Sequence, residues 1–130
     1  MASELKVDKF TGVTTAGSID VTGEGNSTTT NLQQGLCKMW AKLDGSGTIG
    51  LDDSFNVGSI TDEGTGEYSF TFSNNMNNAN FNVAHASDNQ MQIHRPSRTT
   101  TTSVGINCRN QNNTSEDRDH LFSNVHGDLA

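Results

Sequence analysis

Strongly apolar residues are scarce in this chain: Leu, Ile, Val and Phe number 25 among 130. That share sits at the edge of what an unaided chain needs to offset its own ordering entropy. No apolar run approaches the roughly 20 residues of a membrane-spanning helix, so membrane insertion is not expected. The opening residues, MASELKVDKF, lack the apolar stretch of a cleaved secretory leader, and export by that route is not expected either. With two cysteines, Cys37 and Cys108, a disulfide scaffold is a poor fit, and both read as small buried thiols in a protein made under reducing conditions. Lys and Arg are missing altogether from residues 44–84, where six acids stand, so nearly all of the net charge of −7 falls there. A phosphate-tracking surface needs the opposite sign, which argues against nucleic acid as a partner.

Small and uncharged polar residues fill the space. Thr, Asn, Ser, Gly and Gln number 62, nearly half the chain. Composition therefore leaves two outcomes: extensive disorder, or a thin core that takes extra burial from copies of the same chain.

Three zones follow along the chain. Residues 1–30 hold short apolar alternations, Leu5 with Val7 and Ile19 with Val21. Two strands of that length do not make a stable sheet alone, so they are expected to pair with neighbouring copies. Next, Thr30 and Gln33 have the spacing of a capping box. Leu32, Leu36, Met39 and Leu43 recur at heptad spacing, with Trp40 beside them. This pattern predicts a helix over 31–43, too short to stand alone in water and weakened by Gly35. Residues 47–130 read as strands at regular intervals with turn signals between them, the signature of a sandwich or barrel. The clearest puts Tyr68, Phe70 and Phe72 on one face, joined by a DEGTG hairpin to an earlier strand bearing Phe55, Val57 and Ile60. Further strands are expected over 80–86, 90–94, 102–108 and 120–126.

Sites of chemistry are few. DGSGTI at 44–49, continuing to Asp52 and Asp53, imitates part of a calcium loop. Yet Lys42 occupies the first ligand position, Asp53 stands where a longer bidentate Glu belongs, and no helix follows. The alternative, a turn leading into a strand, fits better. His85 and His94 could meet across a hairpin, but a zinc site needs three or four converging ligands. Asp117, Asp119 and His120 look like parts of a catalytic set without an evident nucleophile. No catalytic residue, metal or cofactor is expected.

The stretches SELKVDKFTGVTTAGSIDVTGEGNSTTTNLQQGL and KMWAKLDGSGTIGLDDSFNVGSITDEGTGEYSFTFSNNMNNANF, with the terminal HGDLA, resemble small fibre-like virion proteins of tailed bacteriophages, especially those of marine bacteria and cyanobacteria. The string W-x-x-x-D-G-x-G-T followed by G-x-Y-x-F-x-F carries most of the likeness, which spans residues 3–82 and the tail. Residues 84–119 diverge. The resemblance implies a non-enzymatic structural component of the virion, made in the host cytoplasm. It also implies homotrimers with intertwined amino-terminal strands.

Together these readings predict a mainly β protein in two parts. Residues 1–43 would be a trimerising and anchoring stalk, with strands over 4–22 and the helix over 31–43. Residues 44–130 would be an antiparallel, jelly-roll-like β-sandwich. The expected trimer interface draws Leu5, Val7, Ile19 and Val21 from the strands and Leu32, Leu36, Met39 and Leu43 from the helix. The stalk would also contact other virion proteins of capsid or tail. Asn77, Asn78, Asn89, Arg95, Arg98 and Asn112 would lie on the outward surface, suited to a host-surface glycan or protein. A capsid or tail decoration protein that stabilises the particle without receptor binding is the alternative.

Overall fold

The computed structural model describes residues 4–13, 19–23, 25, 27–88 and 91–130. The chain divides into two compact units, Met1–Gly35 and Leu36–Ala130.

In the first unit, strands β1 (Asp20–Thr22) and β2 (Thr29–Asn31) form an antiparallel hairpin in which Val21 lies opposite Thr30. The pairing is thus made within one chain, where the sequence suggested neighbouring copies. Residues 4–13 hold no strand, so the expected strand at Leu5 and Val7 is not found. Its few apolar residues have no sheet partner here to bury them. The helix is one turn, α1 (Leu32–Gly35), capped by Asn31, whose Oδ1 accepts from the Gln34 N–H at 2.9 Å. The cap is therefore one residue beyond the expected Thr30.

The helix predicted over 31–43 gives way at Gly35, and Cys37–Asp44 is strand β3. The same residues carry a second period: Met39, Ala41 and Leu43 alternate with Trp40 and Lys42. As a strand, β3 has partners on both sides and buries Met39, Ala41 and Leu43 completely or nearly so. A lone amphipathic helix of that length has no comparable burial. The boundary between the two parts accordingly falls at 35/36, not at 43/44.

The second unit is built from two four-stranded antiparallel sheets. One runs β4-β3-β10-β7, with β4 Gly50–Phe55, β7 Asn82–Ser87 and β10 Leu121–His126. The other runs β5-β6-β9-β8, with β5 Val57–Gly64, β6 Glu67–Phe72, β8 Met91–His94 and β9 Ser103–Arg109. The strands expected around Tyr68, over 80–86, 90–94, 102–108 and 120–126 are present, and the DEGTG turn closes the β5–β6 hairpin with Gly64 and Gly66 at positive φ. The chain passes between sheets at Asn56, itself at φ 59°, so Phe55 ends β4 and does not share a strand with Val57 and Ile60 as expected. Its side-chain amide holds that corner, donating to the carbonyls of Lys38 (2.9 Å) and Asn74 (3.0 Å) and accepting from the Asn74 N–H.

One core joins the inward residues of both sheets: Met39, Leu43, Leu121 and Val125 from the first, Tyr68, Phe70, Val104 and Ile106 from the second. Met76, from the connection between β6 and β7, completes it and bridges to Leu129. At one end, Tyr68 Oη sits 2.8 Å from the Gly45 carbonyl and 2.7 Å from Asp117 Oδ1, which also accepts from the Gly66 N–H at 2.6 Å. A Cβ at Gly45 would come within 2.5 Å of that phenol oxygen. Burial, then the Asp117 carboxylate, push the Tyr68 hydroxyl well above the usual phenol range, so it acts as a donor.

Candidate functional site

The outer side of the β5-β6-β9-β8 sheet carries a connected polar cluster. Pro96 opens a single 3₁₀ turn, Pro96–Arg98. The turn lies flat on β9 because residue 105 is glycine: a Cβ there would fall 2.6 Å from Arg98 Cβ. The Arg95 N–H donates to the Gly105 carbonyl at 3.0 Å and fixes the approach. From this turn Arg95 reaches Glu67 and Arg98 reaches Glu63, the latter at 2.7 Å. Glu63 also accepts from Ser69 Oγ (2.9 Å), and Glu67 from Asn107 Nδ2 (2.9 Å). Buried Asn107 in turn accepts from Arg109 Nε at 2.8 Å. Arg95 and Arg98 are thus brought together as expected of neighbours on one surface. Both, however, are partly buried and committed to carboxylates.

The other expected outward residues are scattered. Asn77 and Asn78 are exposed on the connection after β6, where Asn78 Oδ1 accepts from the Asn80 N–H. Asn112 is exposed on the loop after β9, its N–H bonded to Asn110 Oδ1. Asn89 lies outside the described residues.

Of the expected trimer-interface residues, Leu5, Val7, Val21 and Leu36 are exposed, while Ile19 and Leu32 are half-buried. Met39 and Leu43 are a correction. Both are fully buried in the sandwich core, because β3 turns them inward, and neither can line an axis between copies.

Strand β3 instead sends Trp40 outward, which the helical reading missed; the signal was the period-two alternation of 37–44. Trp40 lies opposite Phe55 on β4 and Asn124 on β10, and Phe122 lies opposite Lys42. Lys42 forms a 2.6 Å ion pair with Asp52. Close by in sequence, Lys38 is buried at the start of β3; desolvation holds its ammonium below the usual range, and the charge of Asp128 partly offsets this.

Inside the unit, His85 and His94 stack with ring centroids 5.9 Å apart, but not across a hairpin as expected: β7 and β8 belong to opposite sheets, and the rings meet between them. His85 Nδ1 lies 2.7 Å from Ser123 Oγ, a serine–histidine contact in which the serine is buried. Thr99 Oγ1 donates to the Arg95 carbonyl and lies 3.2 Å from His94 Nε2, which places that ring's proton on Nε2. Enclosure first, and then the neighbouring His94, lower the His85 pKa to about 4.

For metals, Asp88, Asp119 and His120 each place one ligand atom within 4.8 Å of the others, all at exposed positions. His120 Nδ1 is 3.3 Å from Asp119 and 3.9 Å from Asp88, spacings that polar contacts between exposed side chains also explain. The calcium-like stretch is a turn. Asp44 Oδ1 accepts from both the N–H and the hydroxyl of Ser46, which hold its carboxyl below the usual range. Asp52 is engaged by Lys42, and Asp53 accepts from the Ser54 N–H. Among the described residues, no helix is long and apolar enough to cross a membrane. No protein-family model, curated protein or solved structure matches the chain.

Proposed function

We infer that this chain is a non-enzymatic structural protein that assembles with its own copies through its amino-terminal region, a virion component of the kind its sequence resembles. One observation carries the reading. Within residues 4–13, Leu5 is 73% exposed, Phe10 62% and Val13 93%, and Val7 is exposed too, while the second unit already holds a complete core of its own. Burying such a side chain is worth roughly 1.5–3 kcal/mol relative to leaving it in water, so covering four of them favours association. In this reading the copies number three and the amino-terminal region is a trimeric stalk. The interface draws on Leu5, Val7, Ile19, Val21, Leu32 and Leu36, and the jelly-roll-like sandwich faces outward. Its exposed loops, with Asn77, Asn78 and Asn112, are the surface offered to the host.

Light scattering of the full chain after size exclusion tests this. The expected mass is three times the 14.0 kDa of one copy; a single-copy species at every concentration overturns it.

A capsid or tail decoration protein is the second reading. What favours it is that Arg95 and Arg98 are bound to Glu67 and Glu63 rather than free to grip a receptor. Copy number per particle separates the two, because a decoration protein is present in tens to hundreds of copies and a tail-tip adhesin in few.

A further inference from the structure

The outward side of a half-buried antiparallel sheet normally alternates to polar residues. On the β4-β3-β10-β7 sheet three aromatic rings interrupt that rule: Trp40 is 39% exposed, Phe55 50% and Phe122 43%. They stand on three adjacent strands. Phe55 is directly opposite Trp40, and Phe122 is one diagonal step away, beside Asn124. On β7, the residues opposite Phe122 and Asn124 are Ala86 and Ala84, small side chains that leave the rings standing proud. The same chain displays a second uncovered apolar surface, the arm of residues 5–13 with Leu5, Val7, Phe10 and Val13.

We propose that the Trp40–Phe55–Phe122 face is the seat of the amino-terminal arm of a second copy of this chain. The inference rests on the assembly reading above and names its interface.

Charge complementarity favours this occupant. Residues 5–13 carry Lys6 and Lys9 against one acid, Asp8, and among the described residues Lys6 has an exposed 3.4 Å contact with Glu4. The strand at the edge of the aromatic face, β4, carries Asp52 and Asp53, both exposed; Lys42 of β3 pairs with Asp52, so the excess negative charge there is that of Asp53. Reach is sufficient: nine extended residues span roughly 30 Å, against about 14 Å across four strands. A sugar fits less well. A pyranose needs hydroxyl partners as well as a ring to stack on, whereas two of these three rings are phenylalanines and their β7 neighbours are alanines. An apolar peptide needs only the area.

Trp40 is the only tryptophan of the chain and lies in the proposed seat, so its emission reports occupancy directly. The test uses the full chain. Phe10 is replaced by a benzophenone amino acid, and isotope-labelled and unlabelled copies are mixed before irradiation. In parallel, Trp40 emission and mass are followed on dilution of the unmodified chain. The expected result is cross-linking between labelled and unlabelled copies onto β3, β4 or β10, with Trp40 emission shifting to the red as the assembly dissociates. Phe55→Ser with Phe122→Ser, on an exposed face, should raise the dissociation constant at least tenfold. Leu5→Ser with Phe10→Ser should do the same without touching the sandwich, which keeps the test decisive if the first pair folds poorly.

Assembly that persists in both variants, with Trp40 emission unchanged on dilution, overturns the seat and leaves self-assembly standing. A chain that is single-copy throughout overturns both. Cross-links confined to one copy, or a Trp40 shift produced by oligosaccharides and not by assembly, also overturn the seat.

Discussion

At the scale of single residues, Tyr68 and His85 show two ways in which a buried polar group shapes this sandwich. The Tyr68 hydroxyl ties β6 to the turn at Gly45 and to Asp117 at one end of the core. Tyr68→Phe removes both contacts and should cost about 1–3 kcal/mol in a urea titration. Gly45→Ala, which drives a methyl to 2.5 Å from the same oxygen, should cost about as much by overpacking. His85 works through protons. Its folded pKa is lowered to about 4, against about 6.5 in the unfolded chain. Between those values the unfolded state binds the extra proton. Stability is therefore fully present above about pH 6.5, declines as the pH falls toward about 4, and changes no further from this group below that. Over the window the loss is about 3 kcal/mol. The groups facing the ring are His94 from β8 and Ser123 from β10. His85→Asn should flatten this part of the profile, measured as urea midpoints at pH 7 and pH 4.5 against the unaltered chain.

At the scale of elements, what could be read in the sequence and what could not differ in the distance over which each choice is made. The β5–β6 hairpin was legible because Tyr68, Phe70 and Phe72 alternate without interruption and the intervening glycines, two of them at positive φ, make the turn. Strand β3 was not legible, because 32–43 satisfies two periods at once: 4-3-4 through Leu32, Leu36, Met39 and Leu43, and two through Met39, Ala41 and Leu43. What decides between them is β10, some 80 residues away in the chain, which no local pattern reveals. The outward aromatic face was hidden with it. The Arg95–Glu67 and Arg98–Glu63 pairs were out of reach for a similar reason, since they depend on the 3₁₀ turn folding back onto Gly105. That arrangement has its own consequence. A double-mutant cycle over Arg95→Ala and Glu67→Gln should give a coupling of about 1 kcal/mol, because both side chains are only partly screened by solvent. Gly105→Ala should weaken that coupling by lifting the turn off the sheet.

At the scale of the whole molecule, all but a small part of the sheet structure and the entire sandwich core lie in Leu36–Ala130. A 36–130 fragment should therefore keep a β-type far-UV circular dichroism spectrum and a cooperative melt close to that of the full chain, while losing self-association. If the fragment unfolds instead, the amino-terminal unit contributes to the fold and not only to assembly. The acidic middle stretch fits the same division. Of its six acids, Asp52, Glu63 and Glu67 pair with Lys42, Arg98 and Arg95 from outside the stretch, and the net negative charge that remains favours solubility.

The pairing of β3 with β10 bears on how the protein is made. The first strand of the sandwich sits at the centre of its sheet beside the last, and β7 joins that sheet only through β10. While a ribosome has yet to deliver residues 121–126, β3 with its β4 hairpin and β7 have nothing between them, and both must wait with apolar faces uncovered. Closure of this domain therefore waits on residues 121–126, with a high contact order and slow closure, and a nascent chain stalled before residue 121 is a candidate for aggregation or chaperone capture rather than a partly working product.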